Sequence, residues 1–181
     1  MTTLTRNPQN IDLLQSTKFR LSMDRLPGMV YFCQQANLPG VSLTEIPRQT
    51  PFVDLYSPGE KIIYDTLNIT FIVDEELMAW TEIHDWIRHL TFPTDFEEYL
   101  KLSKYSKISP GFGMEKSERL PYSSGVLSIY TNKNNVNFRV KFVDLFPISL
   151  STIVFSTSDT AENVITADAT FRYGYYNYER F

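Results

Sequence analysis

The chain is poor in the residues that mark an enzyme or a nucleic-acid grip. It holds one cysteine, Cys33, so no disulfide can close within it and no oxidising compartment is required. Set in an alternating stretch, Cys33 reads as a small buried residue rather than a nucleophile. There are two histidines, His84 and His89. On a helix they stand about 140° apart around the axis, which makes a poor metal pair. Glu82, Asp85 and His89 share one helix face, but a solvated face explains them without a metal, and no fourth ligand is indicated. Positive charge is not in excess: 17 Lys and Arg against 21 Asp and Glu leave a net charge of −4, with no basic footprint for phosphates. No apolar run approaches the roughly 20 residues of a spanning helix. The polar, proline-containing start MTTLTRNPQNIDLL is not expected to serve as a signal peptide.

Short motifs are equally sparse. Gly111-Phe112-Gly113 lacks the following Gly-Lys-Ser/Thr of a phosphate loop. No G-x-S-x-G elbow exists. Asn68-Ile69-Thr70 matches a glycosylation acceptor but lies mid-strand. The expectation is a protein with no catalytic, cofactor or metal site.

Aromatics are abundant: 13 Phe, 11 Tyr and 2 Trp in 181 residues, mostly in strand-like segments, which favours a β-rich fold. The length suits one domain. The organising stretch is 61–90. Leu67, Ile69, Phe71 and Val73 alternate with Thr66, Asn68, Thr70 and Ile72, the period of a strand with one buried face. The period then changes. Asp74 can cap a first helical turn, and Glu75 and Glu76 suit its positive dipole end. LMAWTEIHDWIRHL reads as an amphipathic helix whose core face carries Trp80, Ile83, Ile87 and Leu90. Pro93 stops it.

Residues 1–17 read as an arm. Lys18–Arg25 and Val30–Asn37 read as two strands of a hairpin around Leu26-Pro27-Gly28. VSLTEIP alternates imperfectly. Residues 47–60 hold prolines and Gly59, yet keep Phe52, Val53, Leu55 and Tyr56. Such a loop either folds back over its own core or serves as a contact surface. Residues 92–122 read as a long inserted loop region, with a short helix possible in DFEEYLKLSKYS. Strands return at Gly125–Thr131, with a tight turn at Asn132–Asn135, and at Val136–Leu145. Pro147 is expected to interrupt, followed by a strand Ser149–Thr157, a turn Ser158–Glu162 and a closing segment Asn163–Tyr176. Residues 177–181 remain as a tail. The count is six or seven strands and one principal helix. The expected fold is an antiparallel β-sandwich or open barrel with a flanking helix, a single domain over 18–176.

Sheets with unpaired edges, an apolar loop and no chemistry favour self-assembly. Copies joined heterologously around an axis close into a ring, and rings stack when a loop of one grips the next. The ordered set Phe19–Asp24, Cys33…Leu38-Pro39-Gly40, Glu45-Ile46-Pro47, Pro58-Gly59-Glu60, Tyr64-Asp65-Thr66-Leu67, Val73-Asp74-Glu75, Trp86, Leu145-Phe146-Pro147 and Phe171, Tyr173, Tyr175 resembles the tail tube proteins of contractile-tailed bacteriophages, the myoviruses. The resemblance covers roughly 18–176. It implies a structural virion protein, not an enzyme, whose hexameric rings stack into the inner tail tube. Sheath, tape-measure and baseplate proteins would be its partners. DNA would pass through the lumen during genome ejection without specific binding. It would belong to a phage tail assembled in the host cytoplasm, with no membrane insertion. A baseplate tube initiator or tail terminator ring of the same fold is the nearest alternative. A monomeric binding module is a remote one.

Under this resemblance Phe52, Val53, Leu55 and Tyr56 are candidates for ring-to-ring contact. Thr66, Asn68 and Thr70, together with Asn137, Arg139 and Lys141, are candidates to line the lumen; a solvated outer surface is the other use of such wet faces. A positive lumen wall would retain phosphates, so the negative net charge is compatible with a tube that releases DNA.

Overall fold

A computed structural model of the chain describes residues 12–91, 121–156 and 164–181. Among these residues it forms nine strands and two helices, mainly antiparallel β with one principal helix. The elements are β1 (Phe19–Met23), α1 (Met29–Phe32), β2 (Cys33–Ala36), β3 (Val41–Arg48), β4 (Leu55–Tyr64), β5 (Leu67–Ile72), α2 (Met78–Thr91), β6 (Ser123–Tyr130), β7 (Val136–Leu150), β8 (Thr166–Arg172) and β9 (Tyr175–Arg180). The expected short helix in DFEEYLKLSKYS, the turn Ser158–Glu162 and most of 92–122 lie outside the described residues.

Two four-stranded layers share one strand. The first runs β1-β6-β7-β9 and the second β2-β5-β8-β7, all pairs antiparallel. The first half of β7 pairs with β6 and β9, and its last residues pair with β8. The change of layer happens at Asp144, which takes a left-handed backbone with φ 58°. Beside it, Tyr173 and Gly174 link β8 to β9, and the Gly174 N–H donates to Val143 O at 2.9 Å. A single strand thus turns the corner between layers, as bulged strands do in barrels.

Pro147 does not interrupt this strand. It sits where the β7–β8 register shifts, between Pro147 and Ser149, so its missing N–H breaks no regular ladder step. The strand expected at Ser149–Thr157 is therefore only the end of β7, and residues 151–156 have no regular structure. The closing segment divides into β8 and β9, and β9 continues to Arg180 through residues set aside as a tail.

The expected β1–β2 hairpin is also replaced. Leu26 and Met29 are both buried, and the Met29 N–H donates to Leu26 O at 3.1 Å, so Pro27-Gly28 starts one helical turn instead of reversing a strand. That turn carries the chain from one layer to the other: β1 pairs with β6, and β2 with β5.

One core cluster lies between the layers. Large side chains of β5 face small ones of β8, with Ile69 opposite Ala169 and Phe71 opposite Ala167. Leu21, Leu127, Val140 and Phe142 close it from the first layer. The helix α2 flanks this core. The Asp74 carboxylate accepts from the N–H groups of Met78 at 3.2 Å and Ala79 at 3.4 Å. Its most buried residues are Ala79, Ile83 and Trp86, while Trp80, Ile87 and Leu90 are only partly buried against the cluster. The buried stripe is rotated toward Trp86, because its ring lies 6.1 Å from that of Phe171 and beneath the Arg25 guanidinium, and its Nε1–H donates to Pro121 O.

The corner at Asp144 yields a test. A β-branched side chain in the left-handed region costs about 1–3 kcal/mol, whereas Asn tolerates it. Asp144→Val is expected to lower stability by that amount in denaturant unfolding, with Asp144→Asn close to wild type.

Candidate assembly surfaces

The segment expected to be a loop, 47–60, is largely strand. It forms the outer half of a long β3–β4 hairpin, an arm paired only with itself. Prolines suggested a loop, but in a two-stranded sheet each strand has an unpaired edge, where proline is tolerated. Pro47 faces Tyr56 and Pro58 faces Glu45. The sequence pieces Glu45-Ile46-Pro47 and Pro58-Gly59-Glu60 are thus brought together across the arm.

Beside them the register slips: Leu43 pairs with Ile62, but Glu45 pairs with Pro58. Thr44 holds this bulge, its Oγ1 donating to Lys61 O at 3.3 Å and accepting from the Lys61 N–H at 3.4 Å. Gly59 passes so close that an added Cβ would lie 2.5 Å from Thr44 O and 2.9 Å from its carbonyl carbon. At the tip, Thr50 and Val53 bond reciprocally through the Thr50 hydroxyl, closing a tight turn that projects Phe52.

Phe52 is 98% exposed, and Val53, Leu55 and Tyr56 are exposed around it. The arm exposes more than the sequence reading singled out: Val41, Leu43, Ile46, Ile62 and Ile63 are also open to solvent. The available signal was Ile62-Ile63 itself. Two adjacent apolar residues in a strand point to opposite faces, so a strand with only one covered face has no use for both. An apolar surface of this kind on both sides of a ribbon is a candidate contact site.

The arm leaves the body at a hinge of two further sequence pieces. Leu38-Pro39-Gly40 enters it and Tyr64-Asp65-Thr66-Leu67 leaves it, with the Asp65 N–H donating to Gly40 O at 3.1 Å. An added Cβ at Gly40 would meet the Asp65 carboxylate at 2.6 Å. Tyr64 anchors the base, its ring 5.9 Å from Tyr173 and 5.3 Å from Tyr176. Tyr173 is 7% exposed, and its hydroxyl is buried with no hydrogen-bond partner among the described residues. Burial, then the neighbouring Tyr176, Asp65 and Tyr64, push that hydroxyl up to about 12.

The wet strand faces separate into two sets. Asn68 and Thr70 lie on the outer face of the second layer, opposite Thr170 and Asp168 respectively, and Thr70 Oγ1 donates to Asp168 Oδ1 at 2.6 Å. Thr66 stands just before that strand, and Asn37 ties the region together: its Nδ2 donates to Thr66 O, and its Oδ1 accepts from the Asn68 N–H at 2.7 Å. Asn37, Asn68, Thr70, Asp168 and Thr170 line a shallow groove of about 400 Å³ together with Gln35, and Thr66 lies outside it. Asn137, Arg139 and Lys141 belong to the other layer, where Lys141 pairs with Glu179 at 2.6 Å and the Arg139 guanidinium lies 4.9 Å from the centre of the Phe181 ring. Because the inner faces of both layers share one core, the two outer faces look in opposite directions.

No three His, Cys, Asp or Glu side chains among the described residues gather as metal ligands. His84 stacks on Trp80 and meets Asp85 at 3.4 Å. Burial pushes the Cys33 thiol up to about 11, away from thiolate reactivity. Among the described residues no helix is long and apolar enough to cross a membrane.

The geometry is that of a two-layer β domain with a flanking helix and an uncovered apolar arm. The chain belongs to the phage tail tube protein family, whose model matches residues 10–179. A sequence comparison with curated proteins finds no match. Among solved structures, the tube-terminating cap of the anti-feeding prophage superposes with a TM-score of 0.60 at 13% identity, over 99% of this chain and 100% of that one. A chain of the sheath-tube complex of the PVC extracellular contractile injection system gives 0.57 at 13% identity, over 93% of each chain. A chain of the anti-feeding prophage baseplate gives 0.53 at 9% identity, over 99% and 98%. At these identities the likeness is one of fold.

The bulge yields a second test. Gly59→Ala forces the backbone of Thr44 aside, so the arm should lose its pairing while the body keeps its core. The expected result is faster amide exchange across 41–48 and 55–64, with the main unfolding transition in place.

Proposed function

We propose that the chain is a tube-forming subunit of a contractile tail or injection particle, closing into hexameric rings that stack through the β3–β4 arm. The observation that carries this reading is the arm itself: a ribbon apolar on both faces, held out from a body that does not cover it. Phe52, Val53, Leu55 and Tyr56 at its tip make the ring-to-ring contact. Among the described residues β1, β9 and β2 are edge strands, and they supply the contact within a ring. The assembled tube works as a conduit without catalysis or cofactor. Sheath and baseplate proteins surround and seat it. The tape-measure protein and DNA occupy its lumen, and the particle is a virion tail built in the host cytoplasm.

Only one of the two wet faces can look toward a common axis. We assign the lumen wall to Thr66, Asn68 and Thr70. On this face Asp168 is matched by the exposed Arg172, with Gln35, Thr170 and Ser149 beside Asn68 and Thr70, so it carries no excess of positive charge to hold DNA. The opposite face carries Arg20, Arg139 and Lys141 against one carboxylate, Glu179, and is assigned to the outside together with Asn137.

Two measurements test this. Phe52→Asp combined with Leu55→Asp should leave a folded subunit and abolish tubes in negative-stain electron microscopy; intact tubes would refute the arm assignment. In assembled wild-type background, Arg139→Cys should react with a bulky polyethylene-glycol maleimide while Thr70→Cys, inside the lumen, stays protected. The reverse pattern would exchange the faces. A second role of the same fold is favoured by the cap likeness, which spans both chains almost completely. Single rings that cap another tube but never stack on themselves would assign the chain to that end position.

A further inference from the structure

Among the described residues the Tyr173 hydroxyl is the one buried side-chain polar atom without a hydrogen-bond partner. A buried hydroxyl without a hydrogen bond carries a desolvation cost, and native structures keep few of them. It lies at the one place where the arm joins the body. Tyr64, the last residue of the arm, packs on the Tyr173 ring, and the charge of Asp65, the next residue, disfavours ionisation of the Tyr173 hydroxyl. Asp65 itself is exposed and its carboxylate rests against Gly40, the entry side of the same hinge. The acceptor that would satisfy the buried donor therefore sits on the joint that sets the arm's direction.

We propose that the Tyr64–Asp65 joint is an assembly latch: seating the arm on a neighbouring ring turns Asp65 inward to accept a hydrogen bond from the Tyr173 hydroxyl. In the free subunit the hydroxyl has no partner among the described residues, and Tyr64 packs the base of the arm on Tyr173 and Tyr176. In the stacked ring the bond forms and fixes the arm's direction. The core thus keeps a donor in reserve whose partner arrives only with assembly. This inference rests on the tube reading above.

The test compares wild type with Tyr173→Phe, Asp65→Ala and the double variant, by thermal unfolding of the subunit and by sedimentation of assembled tubes. Removing an unsatisfied hydroxyl should leave the subunit's Tm unchanged or raised. Each single variant should raise the critical concentration for tube formation about ten-fold, the weight of one hydrogen bond to a charged acceptor. The double variant should be no worse than either single one, because both remove the same bond. A lowered Tm for Tyr173→Phe would mean that the hydroxyl already has a partner in the free subunit, and would overturn the latch. Equal critical concentrations for wild type and Tyr173→Phe, or additive losses in the double variant, would overturn it too while leaving the tube reading intact. Wild-type protein that forms no ring at any concentration, alone or with other tail components, would overturn both.

Discussion

The body depends on the double pairing of β7. This one strand supplies the centre of the first layer and the edge of the second, so the layers cannot separate without unzipping it. Its continuity requires a sharp change of direction, and the cost is confined to Asp144, a residue type that tolerates left-handed backbone. The β8–β9 link turns at the same corner, tied to Val143 by the Gly174 N–H. Two chain segments thus bend together, which keeps the ladder paired through the corner. The small residues Ala167 and Ala169 then admit Phe71 and Ile69 from β5.

The fold class was legible because alternation and helical spacing are local signals. Leu67, Ile69 and Phe71 read as one strand face and are buried as one. The turn at Asn132–Asn135 was legible for the same reason, with Asn134 at φ 63° taking the backbone that its type favours. What failed depended on partners far away in sequence. The sequence around Pro27-Gly28 is compatible with a hairpin or with a helix start. Only the pairing of Phe19 with Ile129, more than a hundred residues later, decides against the hairpin. Pro147 signals a break unless a register shift absorbs it, and a register shift is a property of two strands.

The exposed apolar surface of the arm was legible only in part. Phe52 and its neighbours stood out because a solvated loop has no reason to carry them. Val41, Leu43, Ile62 and Ile63 did not, since in a strand apolar residues are ordinarily core. Only the structure shows that this ribbon has no body beneath it. Tyr173 belongs to an aromatic ending, but nothing in its sequence context says that its hydroxyl lacks a partner.

An exposed apolar arm has to satisfy two opposed demands. Burying one large apolar side chain is worth about 1.5–3 kcal/mol, so several per arm make a strong contact once a ring presents all its arms together. The same residues make a lone subunit prone to stick at random. The proposed ring would resolve this by number. A modest penalty per subunit for holding the arm in its stacking direction is trivial for one copy, but across a hexamer it multiplies with the copies that must align. A joint that is unsatisfied when free and satisfied when seated imposes such a penalty early and returns it on docking. That would make stacking cooperative, because rings meeting in register recover all the bonds at once, whereas a stray subunit recovers one.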